Sequence, residues 1–161
     1  MKTLAKLLCL LVGLTGLATA QTPAAKKHQV VLQMNVDGAD SWNQLLGNIN
    51  NVQTAFGADN VAIEVVAYGK GLSLLLKTNA TYEERIKAAA NKGVVFAACQ
   101  NSMRLRNVKT EDLFPFSAQV DSGVAELIRK QEAGWIYVRA GEYWNFESRP
   151  NHAVAGQFRP P

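Results

Sequence analysis

The sequence contains very little cysteine and histidine, with two residues of each among its 161. Cys9 lies in the apolar N-terminal segment, which leaves Cys99 as the single cysteine of the expected mature chain. His28 and His152 fall in the segments that flank the expected domain. These absences argue against an internal disulfide, a Cys-x-x-Cys redox pair and a zinc site. We therefore predict no metal and no cofactor.

A long apolar run is also missing. The segment from Leu7 to Leu17 is apolar over only about a dozen residues, too few for a helix to cross a bilayer core roughly 30 Å thick. It follows Lys2 and Lys6 and precedes Ala18-Thr19-Ala20, whose small residues suit cleavage by a signal peptidase. This pattern predicts a signal peptide over residues 1–20 and an exported protein, periplasmic if the source is bacterial. After cleavage we expect no attachment to a membrane.

Charge of one sign is not in large excess. The net charge is +4, and cleavage after residue 20 would remove Lys2 and Lys6 and lower it to +2. The remaining basic residues are scattered and are not interleaved with aromatic ones, unlike a surface on which nucleic-acid bases stack. The sequence therefore predicts that the protein does not bind nucleic acid.

Apolar residues make up 48% of the chain and fall into alternating strand and helix patterns. The predicted strands span residues 29–36, 61–67, 93–98, a short stretch within 114–120, and 135–139. The predicted main helices span residues 40–56, a segment that opens at residues 79–81 and ends near 91, and the segment that begins after residue 121. Because the first strands are apolar on both faces, they indicate a parallel sheet covered by helices on each side. We predict the α/β class, with a three-layer α/β/α domain over residues 29–140 and a mostly parallel sheet of about five strands. A leader (21–28) precedes this domain and a tail (141–161) follows it.

Helix starts are predicted from capping residues. Asp40 and Ser41 precede the first helix, and Thr81 with Glu84 has capping-box spacing. Asn101 or Ser102 is predicted to begin a short helix that ends at Arg106. The last helix is predicted to begin at Asp121-Ser122.

Ligands of parallel α/β sheets bind at the carboxyl ends of the strands, so two segments that follow predicted strands are candidate binding segments. One is the loop Gly69-Lys70-Gly71, and the other is Cys99 with the residues that follow it. Peptide N–H groups at the start of a helix stabilise a thiolate, so Cys99 is a candidate reactive thiol. Spacing alone favours the simpler alternatives, a buried cysteine that only packs and a tight glycine turn. Both interpretations stay open on the residues alone.

Several segments resemble the DsrE/DsrF-like family. Residues 94–103, Val-Val-Phe-Ala-Ala-Cys-Gln-Asn-Ser-Met, resemble the segment around the family cysteine. Further similar segments are Glu111-Asp112-Leu113, the helix start Ser122-Gly123-Val124, residues 131–137, and the glycine turn at 67–72. The resemblance implies a three-layer α/β/α fold and assembly into a homo-oligomer, a trimer or a hexamer.

The resemblance also implies a role for Cys99. The better-characterised sulfur-relay proteins of the family carry sulfur as a persulfide on one cysteine, and Cys99 matches that position. We therefore expect an exported protein that binds or relays sulfane sulfur, with a sulfur donor or acceptor protein as partner. The residues predicted to form the ligand-binding pocket around Cys99 are Gly69, Lys70, Gly71, Asn101 and Ser102.

Two alternatives to sulfur relay stay open. One is a non-catalytic oligomeric module that binds a small ligand or a protein, and the other is a structural subunit in which Cys99 only packs. The absence of a nearby histidine does not decide between them, because exchange of sulfur between thiols requires no acid–base pair. Whether the protein is an enzyme is left open.

Overall fold

The computed structural model describes residues 28–141, which form five strands, four α-helices and three short 3₁₀ segments. The strands are β1 (His28–Met34), β2 (Val61–Ala67), β3 (Val94–Cys99), β4 (Ala118–Val120) and β5 (Ile136–Ala140). The helices are α1 (Ala39–Phe56), α2 (Ala80–Asn91), α3 (Gln100–Leu105) and α4 (Gly123–Glu132). The 3₁₀ segments are Gly69–Leu75, Lys77–Asn79 and Thr110–Asp112.

The five strands form one sheet in the order β4-β3-β2-β1-β5. Every strand pair in it is parallel, with His28 opposite Val61 and Val31 opposite Tyr137 in the register. The connections from β1 through β4 move in one direction across the sheet, whereas the connection through α4 returns to the far edge. Because such crossovers are right-handed, α1 and α2 cover one face and α4 covers the other. The predicted three-layer α/β/α fold with a parallel sheet is confirmed.

The side covered by α1 and α2 holds the main core. In β1, alternate side chains from Val30 to Met34 point to this side, and in β3 Phe96 does the same. They pack against Leu45 and Ile49 of α1, whose spacing of four residues puts them on one helix face. The leucines of the first 3₁₀ segment and Ile86 of α2 complete the same apolar cluster. This layer supplies most of the buried apolar surface.

The side covered by α4 has a much smaller core. Val31, Val66 and Leu127 are buried together, with Tyr68 and Trp135 packed against them. A charged residue also lies on this face: Glu64 of β2 is buried and pairs with Lys130 of α4, whose Nζ is 2.5 Å from a carboxylate oxygen. The same ammonium group lies 4.2 Å from the centre of the Trp135 ring. Helix α4 is therefore attached to the sheet partly by a buried ion pair.

At two helix starts the capping differs from the predicted one. Helix α3 begins at Gln100 with Cys99 as its N-cap, one residue before Asn101. The side chain of Asn101 accepts a hydrogen bond from Arg104, and it makes no capping bond. Helix α2 begins at Ala80 without the predicted box of Thr81 and Glu84. Glu84 instead forms an exposed ion pair with Lys87, and Asn79 donates to the Leu74 carbonyl.

The remaining boundaries differ by smaller amounts. Helix α1 begins at Ala39, after Gly38, and no side chain caps it. The predicted start of α4 is confirmed, since Ser122 Oγ accepts a hydrogen bond from the Ala125 N–H. Strand β5 begins at Ile136, one residue later than predicted, and it lies at an edge of the sheet with much of its surface exposed.

The predicted signal peptide lies outside the described residues, as do the tail beyond Gly141 and the leader before His28. Within residues 28–141, no helix is both long enough and apolar enough to pass through a bilayer.

Candidate functional site

Cys99 ends the interior strand β3 at the carboxyl edge of the sheet. Side chains alternate along a strand, so Cys99 points to the α4 side while Phe96 and Ala98 point into the main core. The residue is only 4% exposed, and it belongs to neither apolar cluster. Its immediate surroundings are polar groups at the starts of two helices.

Hydrogen bonding to the Cys99 sulfur comes from the starts of helices α3 and α4. The Gly123 N–H, at the start of α4, is 3.1 Å from Sγ. Burial raises the pKa of the thiol, but hydrogen bonds from the Ser102 hydroxyl and from the Ser102, Gly123 and Asn101 N–H groups outweigh it. The net effect is a lowered pKa for Cys99, which increases the fraction of thiolate. The site therefore favours the nucleophilic form of the cysteine.

Ser102 links the glycine loop to the thiol. Its side chain is buried, and Oγ accepts a hydrogen bond of 2.8 Å from the Gly69 N–H. Gly69 has a φ of +54°, a left-handed conformation that glycine adopts more readily than other residues and that lets its N–H face Ser102. The same hydroxyl is among the groups that lower the pKa of Cys99.

The other predicted pocket residues make different contacts. Lys70 is exposed, and its carbonyl accepts a hydrogen bond from the Ser73 hydroxyl. Gly71 is buried against β1, because a Cβ there would lie 2.3 Å from the Met34 carbonyl oxygen. The structure thus brings Gly69, Asn101 and Ser102 together around Cys99, through backbone groups and one hydroxyl. Within the described chain, Lys70 and Gly71 support the loop, and a role in ligand binding stays a prediction for them.

Tyr68 is the main site residue that the sequence analysis missed. It directly follows β2, and its ring packs on Gly123: a Cβ at Gly123 would lie 2.8 Å from Tyr68 Cβ. Glycine is therefore required at the position whose N–H binds the Cys99 sulfur. The Tyr68 hydroxyl oxygen accepts a hydrogen bond of 2.6 Å from Gln33 Nε2.

Two residues of the edge strand β5 continue this polar arrangement. Tyr137 donates its hydroxyl proton to the side-chain carbonyl of Gln33. Arg139 lies opposite Gln33 in the register of β1 and β5, on the same face of the sheet. Burial and the nearby Tyr137 raise the pKa of Tyr68, with Cys99 acting in the same direction and Arg139 and Gln33 opposing it. Tyr68 is therefore a hydrogen-bond donor at neutral pH and not a base.

One signal in the sequence points to this arrangement. Gln33 is a polar residue inside the apolar run of the first strand, at a position whose neighbours on both sides are buried. A parallel strand covered on both faces rarely carries such a residue without a partner. The partners, Tyr68 and Tyr137, come from distant parts of the chain, so the strand order is needed to identify them.

Metal binding has little support in the described residues. Between residues 28 and 141 there is no group of three or more His, Cys, Asp or Glu side chains that could hold an ion. The converging groups at Cys99 are N–H and O–H donors, which bind anions and not cations.

Comparison with known proteins agrees with this fold. Residues 13–139 match the model of the DsrE/DsrF-like family. A solved structure, that of the protein of unknown function MTH1491 from Methanobacterium thermoautotrophicum, is similar with a TM-score of 0.66 and 31% sequence identity. The match covers 70% of this chain and 98% of that one. A search of curated proteins gives no match.

Proposed function

Because the chain belongs to the DsrE/DsrF-like family, which is linked to sulfur relay, we propose that Cys99 accepts a sulfane sulfur atom as a persulfide and passes it on. The observation that carries the proposal is the Gly123 N–H at 3.1 Å from Sγ, supported by the other donors around it. The N-terminus of a helix stabilises negative charge on sulfur, both in the thiolate and in the persulfide.

The proposed step is an exchange between sulfur atoms. The Cys99 thiolate attacks the outer sulfur of a donor persulfide R–S–SH and forms a new S–S bond. The bond between that sulfur and the donor breaks, and its electron pair leaves with the fragment R–S⁻. The product is the persulfide Cys99–S–SH, in which the outer sulfur comes from the donor. Charge and atoms balance, and no external oxidant or reductant is needed. Transfer to an acceptor thiolate repeats the step with Cys99 as the leaving group.

Intact-mass measurement after incubation with a persulfide donor tests this function. We expect the wild-type chain to gain one sulfur atom that a reducing agent removes, and Cys99→Ser to gain none. Thr54→Ala, which changes an exposed hydroxyl on α1, on the other side of the sheet, is the matched control and should behave as wild type. A wild-type protein that gains no sulfur under conditions that load a free thiol contradicts the proposal.

Access to the thiol is tested separately, because the residue is 4% exposed. We expect the folded protein to react with iodoacetamide at Cys99, with an apparent pKa below that of free cysteine. Labelling that occurs only after unfolding would favour the structural role for Cys99. A small ligand that stabilises wild type and Cys99→Ala equally, with no transfer of sulfur, would favour the binding-module alternative.

We further propose that copies of the chain associate through α4. Val124 and Ile128 lie four residues apart on one face of this helix, and each is more than half exposed. A second copy that covers this stripe would bury apolar surface that the chain alone leaves in water. Light scattering should show an oligomer for wild type and a smaller species for Ile128→Asp. Leu105→Asp, at another exposed apolar position, is the control and should leave the mass unchanged.

Export is proposed from the N-terminal sequence pattern. When the full-length chain is expressed in a bacterium, we expect the protein in the periplasm to begin at Gln21. Mass spectrometry of the purified protein reads this directly. A chain that keeps Met1 and stays in the cytoplasm contradicts the proposal.

A further inference from the structure

Four residues form a row across the α4 side of the sheet near the carboxyl ends of adjacent strands. Cys99 ends β3, Tyr68 follows β2, Gln33 lies near the end of β1, and Arg139 lies near the end of β5. The strand order β3-β2-β1-β5 makes these strands successive neighbours. We call these four residues the polar row. The sulfur exchange described above uses only its first member.

Hydrogen bonding along the polar row orients the Tyr68 hydroxyl. Tyr137 donates to the side-chain carbonyl of Gln33, which turns the Gln33 amino group toward Tyr68. The Tyr68 oxygen accepts that hydrogen bond, so its own proton points away from Gln33. Among residues 28–141, Tyr68 donates this proton to no acceptor. It is therefore available as a donor to a bound ligand.

Charge along the polar row favours an anion. Arg139 carries a positive charge close enough to the Tyr68 hydroxyl to lower its pKa, although burial keeps the phenol protonated overall. The N-terminus of α4 contributes a partial positive charge at the Cys99 end. A guanidinium group and a hydroxyl donor bind carboxylates and other oxyanions more strongly than they bind neutral groups.

The length of the polar row limits the size of the ligand. Cys99 and Arg139 lie on strands separated by three strand spacings, roughly 14 Å. A donor of two sulfur atoms is too short to reach from the thiol to the Tyr68 and Arg139 end. A donor with an organic leaving fragment of several bonds has the required length.

We propose, on the basis of the function given above, that the polar row binds the leaving fragment of the sulfur donor, and that this fragment is a small organic thiol with a carboxylate. Cys99 attacks the outer sulfur of ⁻O₂C–R–S–SH, and the leaving group is the carboxylate-bearing thiolate. Tyr68 donates a hydrogen bond to the carboxylate, and Arg139 pairs with it. Gln33 and Tyr137 are positioning residues, since they act through Tyr68.

Two matched donors test the carboxylate preference. The persulfide of 6-mercaptohexanoate and that of its methyl ester differ in charge but have the same thiol skeleton, and both are long enough to extend from Cys99 toward Arg139. We expect wild type to take sulfur faster from the carboxylate, and Arg139→Gln and Tyr68→Phe to reduce this preference by roughly tenfold each. Arg85→Gln, on the opposite face of the sheet, removes the same charge and should preserve the preference.

Alkylation separates this proposal from the persulfide function, because it needs no transfer of sulfur. The reagents 6-(iodoacetamido)hexanoate and its methyl ester differ in charge and are long enough to extend along the polar row, and their rate ratio at Cys99 is compared with the ratio for free cysteine. A higher ratio in wild type that falls in Arg139→Gln supports the polar row even if persulfide transfer fails. Equal ratios in wild type, Arg139→Gln and free cysteine overturn the polar row and leave the persulfide proposal unaffected.

Discussion

The two faces of the sheet differ in what their side chains do. The face covered by α1 and α2 contributes to a cluster of 21 buried residues, all of them apolar. The face covered by α4 buries a cluster of three, together with the ion pair of Glu64 and Lys130. The polar row lies on this second face, with Cys99 at one end. The same five strands thus contribute to the main apolar core on one side, and on the other side they place Cys99 and the polar side chains.

This division follows from alternation along each strand. In β3, Phe96 and Ala98 point to the main core, whereas Val95 and Cys99 point to the α4 side. Within residues 28–141, a single helix of ten residues covers the second face, which leaves polar groups near its carboxyl edge. Stability and chemistry are consequently carried by neighbouring residues, and substitutions can affect one with little effect on the other.

The largest difference is expected between adjacent residues of β3. Phe96→Ala removes a fully buried ring from the main core and should lower the free energy of unfolding by about 3–5 kcal/mol. Val95→Ala, at a position 43% exposed on the opposite face, should cost less than about 1 kcal/mol. Urea unfolding of both variants measures the contrast. Equal losses of unfolding free energy would show that the two faces of the sheet contribute equally to stability.

The buried ion pair should be the most sensitive feature of the α4 side. Glu64→Gln leaves the Lys130 ammonium without its closest partner, and we expect a loss of about 2–3 kcal/mol. Glu126, 3.8 Å from the same ammonium, and the Trp135 ring offset part of the cost. The double variant Glu64→Leu with Lys130→Met should recover most of the stability, because no charge then stays buried. A double variant less stable than Glu64→Gln would contradict this account.

A glycine substitution separates the site from the scaffold. Gly123→Ala places a methyl group 2.8 Å from Tyr68 Cβ, so α4 must shift and we expect a loss of about 1–3 kcal/mol. The shift lengthens the hydrogen bond to Cys99, which should raise the apparent pKa for alkylation of the thiol. Gly47→Ala is the control, since its Cβ meets nothing within 4 Å in the middle of α1. It should raise the stability by roughly 0.5–1 kcal/mol and leave the alkylation profile unchanged.

The sequence predicts the fold well because each main-core segment carries its own signal. The apolar run Val61–Ala67 coincides with β2, and the helical spacing of Leu45 and Ile49 identifies the inner face of α1. These patterns depend only on neighbours within each segment. The predicted box of Thr81 and Glu84 is wrong because the helix begins at Ala80 with Asn79 as its N-cap, which places Thr81 inside the first turn.

The site is predicted only in part, because its members meet through the strand order. Cys99 and Ser102 are three residues apart in the chain, so the expectation of donors around the thiol follows from sequence alone. Gln33 and Arg139 become neighbours only because β5 returns to the edge beside β1. No periodicity in either segment specifies that pairing, and the polar row is therefore visible only in the structure.

The smallest expected effect is a pH dependence that comes from Cys99 on the α4 side. The folded state lowers the pKa of the thiol, so between this lowered value and the ordinary value of 9.0 the folded protein binds fewer protons than the unfolded chain. The stabilisation from the thiolate is therefore complete above the ordinary pKa and is lost as the pH falls through the lowered one.

The free energy of unfolding of wild type, relative to Cys99→Ser, should consequently rise with pH through this window, because serine does not titrate there. Urea midpoints of both proteins, measured at several values between about pH 6 and pH 9, provide the comparison. A difference that stays constant would mean that the donors around Sγ do not lower the pKa of the thiol. A difference that falls with pH would mean that burial raises the pKa of the thiol by more than these donors lower it. The α4 face would then disfavour a buried charge, as the main core does.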